Sequence, residues 1–231
     1  MFTGIVQGVA TVAALSDRPG LRSFTIAFPA HFLQGVETGA SIALDGVCLT
    51  VTAFDEAAGT AAFDVMQQTL TLTTLGGLIV GSRVNAERAA REGAEVGGHV
   101  LSGHVDFCAT LAQVRRPENN TVLRFSVPAP WMRYVFAKGY IAVNGASLTV
   151  AEAHHDADGS GWFEVWLIPE TLRMTTFADK REGEAVHIEI ERSTQVMVDS
   201  VRRAVQERLG PLMPVLESLA RERGIQLPSL D

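Results

Sequence analysis

Two side chains of nucleophile type, a thiol and a hydroxyl, occupy the same place in two copies of one heptapeptide. Asp45-Gly46-Val47-Cys48-Leu49-Thr50-Val51 returns 99 residues later as Asn144-Gly145-Ala146-Ser147-Leu148-Thr149-Val150. A thiol can add to an electron-poor carbon, and a hydroxyl donates a strong hydrogen bond to developing negative charge. Strand alternation puts Cys48 with Thr50, and Ser147 with Thr149, on one face of equivalent strands. Taken singly, each residue has an ordinary reading: Cys48 as a small buried hydrophobe, Ser147 and Thr149 as strand hydroxyls, His104 as a structural histidine, Lys138 as a surface charge. Duplication is what raises them, because two similar pockets suit two similar ligands.

The elements that position these residues repeat as well. Thr3-Gly4-Ile5-Val6 matches Ser102-Gly103-His104-Val105, Phe63-Asp64-Val65 matches Phe163-Glu164-Val165, Thr69-Leu70 matches Thr171-Leu172, and Val84 with Glu87 matches Val186 with Glu189. The offset drifts only where a loop has gained a residue, so the chain reads as an internal duplication. Domains of 1–97 and 98–194 follow, with Gly97-Gly98 as the seam. In the first repeat, strand patterns begin at Ile5-Val6 and continue at Ser23–Phe28, Ser41–Leu44, Cys48–Phe54, Thr60–Val65 and Arg83–Glu87, with turn residues between them. Six short strands in under a hundred residues predict an all-β fold: two tandem six-stranded antiparallel barrels of Greek-key type. A short helix is expected before each heptapeptide, near Pro29–Leu33 and Pro130–Phe136.

Beyond Arg192 the period changes to that of a helix. Val198, Val201, Val205 and Leu209 form one stripe, Gly210-Pro211 stops the run, and Leu212, Val215, Leu216 and Leu219 begin a second pattern before the Pro228 tail. Two closed barrels leave no obvious groove for this segment, 195–231, so an oligomerisation helix is expected.

Composition removes several function classes. The 231 residues are 47% hydrophobic with a net charge of −7, and no Lys/Arg cluster tracks a phosphate backbone, so nucleic acid is not an expected partner. No apolar run approaches a membrane span and the N-terminus has no basic leader, which points to a cytoplasmic protein. Cys48 and Cys108 sit at non-equivalent places in the two repeats, as expected of reduced thiols. Asp156-Ala157-Asp158-Gly159-Ser160-Gly161 resembles the opening of a calcium loop, but Leu167 stands where a bidentate Glu is needed. His154-His155, and His99 with His104, lack metal-ligand spacing, so no metal site is expected.

Met1-Phe2-Thr3-Gly4-Ile5-Val6, the run Gly97-Gly98-His99-Val100-Leu101-Ser102-Gly103-His104-Val105-Asp106, the paired heptapeptides and Pro169-Glu170-Thr171-Leu172 together resemble the riboflavin synthases of the trimeric alpha-chain type, over about residues 1 to 200. That resemblance implies lumazine-binding barrels, a homotrimer with active sites between subunits, and no cofactor or metal. It also implies a reaction in which one 6,7-dimethyl-8-ribityllumazine gives a four-carbon unit to another, yielding riboflavin and 5-amino-6-ribitylaminouracil. Carried over residue by residue, Phe2 resembles the aromatic that closes the pocket. Gly4, Ile5, Val6, Val47, Cys48, Leu49, Thr50, Asp64, Val65, Met66, Gln67, Gln68 and Thr69 resemble the first pocket. Gly103, His104, Val105, Lys138, Ser147, Leu148, Thr149, Leu167, Ile168, Pro169, Glu170, Thr171 and Leu172 resemble the second. His104, Ser147 and Thr149 are then candidates for taking the C7-methyl proton and holding the resulting charge, and Cys48 for adding to C7 or activating water against it. Three positions depart from the family pattern: Gln68 stands in place of a Glu, Asn144 in place of an acid and Glu191 in place of an Asp. The competing reading is a lumazine or flavin carrier of the same fold without turnover.

Overall fold

In the computed structural model, residues 1–91 and 93–224 are described, with 215–217 described for their backbone only; the Pro228 tail and the side chains of Val215 and Leu216 lie outside the described residues. Six strands, β1 (Gly8–Arg18), β2 (Leu21–Ala27), β3 (Ser41–Leu44), β4 (Val47–Asp55), β5 (Thr60–Met66) and β6 (Arg83–Arg88), close into a barrel in the order β1-β2-β5-β4-β3-β6. All neighbours are antiparallel, and β4 carries a bulge between Val51 and Ala53. The second repeat has β7 (Phe107–Arg115), β8 (Thr121–Val127), β9 (Tyr140–Val143), β10 (Ala146–Thr149), β11 (Glu152–His155), β12 (Gly161–Leu167) and β13 (Ala185–Ile190), in the order β10-β9-β13-β7-β8-β12-β11. Its two end strands are successive halves of the segment that is β4 in the first repeat. The Val150 amide turns to Gly139 and the Ala151 amide to Glu164, so pairing switches partners across the break and the six-stranded plan is kept.

Period-2 alternation fills each barrel. Phe24, Ile26, Val51, Phe63 and Val65 pack inside the first, and Leu111, Leu123, Phe125, Phe163, Val165 and Leu167 inside the second. The expected helix at Pro29–Leu33 is instead a run of turns closed by Phe32 on Pro29 and Val36 on Leu33, while α2 (Ala129–Met132) does form. Two helices were not anticipated: α1 (Gln67–Leu72) and α3 (Pro169–Met174), each at the exit of an inner strand. Pro169 at a helix start, followed by Glu170, was a readable signal for α3.

Residues Met1–Glu191 form one compact unit and Arg192–Asp231 another. In the latter, α4 (Arg192–Leu209) starts three residues before the expected boundary, and a 3₁₀ turn at Gly210–Leu212 leads to α5 (Met213–Glu222). Val196, Met197, Val201 and Val205 are exposed along α4.

Between the repeats lies a buried polar belt related by the duplication. Asp45 Oδ1 accepts the Asn85 amide at 2.8 Å, and Asn144 Oδ1 accepts the His187 amide at 2.7 Å. His187 Nδ1 donates to the Asp45 carbonyl at 2.8 Å, and its Nε2 accepts the Thr74 amide at 2.8 Å, which fixes the tautomer. Burial pushes the Asp45 carboxyl up from 3.8 to about 7 and drives His187 down from 6.5 to about 4. The fold therefore favours neutral Asp45, whose stabilisation is complete below pH 3.8 and lost as pH rises to about 7. Neutral His187 contributes above pH 6.5 and is lost as pH falls to about 4, so the two slopes cancel between those limits. Asp45→Asn, which keeps the acceptor as Asn144 does, is expected to be more stable than wild type at pH 8, by on the order of 4 kcal/mol at most, and no more stable at pH 4. Urea midpoints at the two pH values measure this; an equal gain at both would contradict it.

Candidate active sites

Cys48 and Ser147 are both half-buried, each on the strand that leaves a tight turn. The two turns touch: a Cβ on Gly46 would sit 2.7 Å from the Gly145 amide nitrogen. Asp45 and Asn144 precede those glycines with φ of 45° and 43°, a conformation that Asn and Asp tolerate best.

What lies against each side chain differs from the expected grouping. The Ser147 amide donates to the Gly4 carbonyl at 2.8 Å, and the Cys48 amide donates to the Gly103 carbonyl at 2.8 Å. Val6 packs in the core of the second barrel, and Val105 packs against that of the first. Each barrel's entry segment therefore crosses to the other barrel. Gly4, Ile5 and Val6 belong with Ser147, and Gly103, His104 and Val105 belong with Cys48, the reverse of the sequence assignment. The crossing is closed by a two-way backbone bridge between Phe2 and Leu101. Phe2 itself is 1% exposed, packed with Leu101, Ala43 and Ala142 beneath Cys48. Its ring lies against Gly103 and packs with Cys48.

The imidazole beside Ser147 also differs from the expected one. His104, exposed, goes with the Cys48 site, whereas the imidazole on Ser147 is His99, with Nδ1 2.6 Å from Oγ. His99 is 5% exposed, stacks on Tyr140 at 5.5 Å, and its Nε2 has no hydrogen-bond partner among the described residues. Burial holds it below the ordinary 6.5 against the pull of Glu191, which favours the neutral ring at pH 7. Tyr140 stands directly opposite Thr149 across the β9–β10 ladder. Ser147, Thr149, His99 and Tyr140 thus form one polar and aromatic group. The sequence places His99 within the Gly97–Asp106 run, but its contact with Ser147 spans 48 residues and has no local signal.

Alternation sorts the remaining candidates. Val47, Leu49, Val65, Leu148 and Leu167 point into the barrels, and only their backbone is available to a ligand. Around Cys48, the exposed side chains are Thr50, Asp64, Met66, Gln67 and Gln68, with Thr69 half-buried; Asp64 accepts the Ser23 hydroxyl at 2.6 Å. Around Ser147, Ile168, Pro169 and Glu170 are exposed, Thr171 and Leu172 half-buried, and Trp166 stands exposed where the first repeat has Met66. Glu170 is paired with Arg173 on the surface. Lys138 has φ of 68° at the place where the first repeat has Gly39, and both amides donate to the facing strand, to Val150 and Val51. A side chain is kept there at a cost in backbone strain. A cavity of about 760 Å³ shares Thr3, Ile5 and Gly97 with the Ser147 side but is lined by neither Cys48 nor Ser147.

Residues 3–89 and 102–191 each match the lumazine-binding domain family. Riboflavin synthase of Escherichia coli (strain K12) is 44% identical over 209 residues, 90% of this chain and 95% of that protein; the enzyme of Chlamydia pneumoniae is 41% identical over 203 residues, 88% and 96%. The chain belongs to the riboflavin synthase family. Among solved structures, LumP complexed with riboflavin superimposes with a TM-score of 0.73 at 25% identity, over 83% of this chain and all of that one. LumP complexed with 6,7-dimethyl-8-(1'-D-ribityl) lumazine gives 0.71 at 24%, a likeness of fold. In this chain the two matched repeats differ at Cys48 against Ser147, both half-buried, and His99 stands on Ser147 alone.

Proposed function

We propose that the protein is a riboflavin synthase, dismutating two molecules of 6,7-dimethyl-8-ribityllumazine into riboflavin and 5-amino-6-ribitylaminouracil. The observation that carries this reading is the presence of two homologous but unequal sites in one chain: a thiol site at Cys48 and a His99-backed hydroxyl site at Ser147. Two like substrates with unlike roles require that combination, and holding them in register supplies several kcal/mol of the barrier. At the Ser147 site, neutral His99 Nδ1 accepts the Ser147 proton as the hydroxyl oxygen takes one from the C7 methyl, and Thr149 donates to the charge spread into the ring. At the Cys48 site, the thiol adds to C7 of the acceptor, or activates water against it. The ribityl tails fall to exposed polar groups, with Asp64, Gln67 and Gln68 on one side and Lys138 and Glu170 on the other.

The reading divides the chain into lumazine-binding barrels at 1–97 and 98–194 and a helical segment at 195–231 that assembles a homotrimer, with each active site formed between two subunits in the cytoplasm. Of the expected stripe, Val201, Val205 and Leu209 are exposed and Val198 is half-buried, and with the exposed Val196 and Met197 they support the assembly role. Deleting residues 195–231 is expected to leave folded barrels that bind ligand but turn over poorly. Sedimentation showing a full trimer after the deletion would contradict it.

Incubating the purified protein with 6,7-dimethyl-8-ribityllumazine alone tests the function. Riboflavin and the pyrimidine are expected in equal amounts. One tightly bound chromophore per chain with no product would instead identify a carrier.

A further inference from the structure

We infer that Glu87 and Glu189 are positioning residues that each build the site of the opposite barrel. Glu87, on β6 of the first barrel and 4% exposed, accepts three hydrogen bonds from the crossing entry segment: the Thr3 amide at 2.6 Å, the Thr3 hydroxyl at 2.8 Å and the Gly4 amide at 3.0 Å. Gly4 then presents its carbonyl to the Ser147 amide. Glu189, on β13 of the second barrel and 6% exposed, accepts the Ser102 amide at 2.6 Å, the Ser102 hydroxyl at 2.7 Å and the Gly103 amide at 3.0 Å. Gly103 in turn presents its carbonyl to the Cys48 amide.

Three converging donors need an acceptor-only group, and an ionised carboxylate is the one side chain with acceptor capacity on both oxygens and no donor. A glutamine of the same shape keeps one acceptor oxygen and turns an NH₂ toward one of the amides, leaving a buried N–H unpaired. Neither glycine can adapt: both have positive φ, and a Cβ would lie 2.5 Å from the Ser147 Cβ at Gly4 and 2.6 Å from the Cys48 Cβ at Gly103. A loosened carboxylate contact therefore passes directly to the strand that carries the opposite nucleophile. Second spots on the same segments reinforce the path: the Gln7 side chain accepts the Arg88 amide at 2.9 Å, and Asp106 Oδ2 accepts the Ile190 amide at 2.8 Å.

The crossed pattern distinguishes positioning from plain stability. Two probes separate the sites: alkylation of Cys48 by iodoacetamide in a Cys108→Ser background, and quenching of Trp131, Trp162 and Trp166, all in the second repeat, by 6,7-dimethyl-8-ribityllumazine. Glu189→Gln is expected to change the Cys48 alkylation rate about fivefold to tenfold and leave the tryptophan-reported Kd within about twofold, while Glu87→Gln does the reverse. Ser102→Ala and Thr3→Val, which each remove the hydroxyl's bond to the carboxylate and the longer bond it accepts from the amide two residues on, His104 at 3.2 Å or Ile5 at 3.3 Å, should show the same crossing at smaller size and stand in if the Gln variants do not fold. Each variant disturbing only its own barrel's probe, or both probes equally, would overturn the inference. The lumazine arm rests on the proposed function; the alkylation arm does not, so a wild type that fails to bind lumazine would sink that function while the Glu189 result still decides this one.

Discussion

Ser147→Cys is expected to slow riboflavin formation by one to two orders of magnitude, about 1.4 to 2.8 kcal/mol of barrier, with folding and binding near normal. The thiol is only modestly larger than the hydroxyl, so packing on β10 is not the main reason. A thiol donates weakly and its sulfur is a poor partner for the His99 Nδ1 that now sits 2.6 Å from oxygen, so both proton transfer and charge stabilisation weaken together. His99→Gln should give a loss of the same order and should not add to that of Ser147→Cys, because the two act as one unit. Cys48→Ser should also be slow, through lost nucleophilicity. The double swap, Cys48→Ser with Ser147→Cys, should not recover, since no histidine is carried to the Cys48 site in the arrangement His99 has at Ser147. A swapped enzyme running at the wild-type rate in steady state would show that the two sites are interchangeable and sink this assignment.

Gly103→Ala should be more damaging still, with turnover reduced about a hundredfold or more and stability lowered by roughly 2–4 kcal/mol. Gly103 has φ of 79°, and the added methyl would meet the Cys48 Cβ at 2.6 Å and the Phe2 ring at 2.8 Å. Neither neighbour can yield: Phe2 is held by its bridge to Leu101, and Cys48 is held by the Gly103 carbonyl itself. Gly20→Ala is the internal control, for φ is 74° there but nothing lies within 4 Å of the added carbon. Only the backbone penalty should appear at Gly20, about 1–2 kcal/mol, with turnover unchanged. Denaturant midpoints and steady-state rates for the pair measure the difference; equal effects at the two glycines would mean that crowding at Cys48 is not what matters.

The duplication, five of the six strands of the first barrel, the turn that precedes Cys48 and Ser147, and the start of a helix after the second barrel were legible in the sequence; the first strand was read from Ile5-Val6 but begins at Gly8, and the division of one strand into β10 and β11 in the second repeat was not read. They depend on local chemistry: residue alternation at period 2, turn residues with positive φ, and an offset that barely drifts. The partner of each entry segment was not legible. In a duplicated chain, Gly4-Ile5-Val6 fits either barrel by offset alone, because the two acceptors it could cover carry matching sequences. Tertiary closure at Phe2 and Leu101, with Glu87 and Glu189 holding the segments that follow, selects the exchanged pairing. The place of His99 was hidden for a related reason: its contact with Ser147 spans 48 residues. The neutral state favoured for Asp45 is likewise a property of burial between the barrels, which no window of sequence contains. Residue types and their spacing determined which chemistry the chain could carry. Only packing between the two copies decided which histidine, which glycine and which carboxylate serve each site.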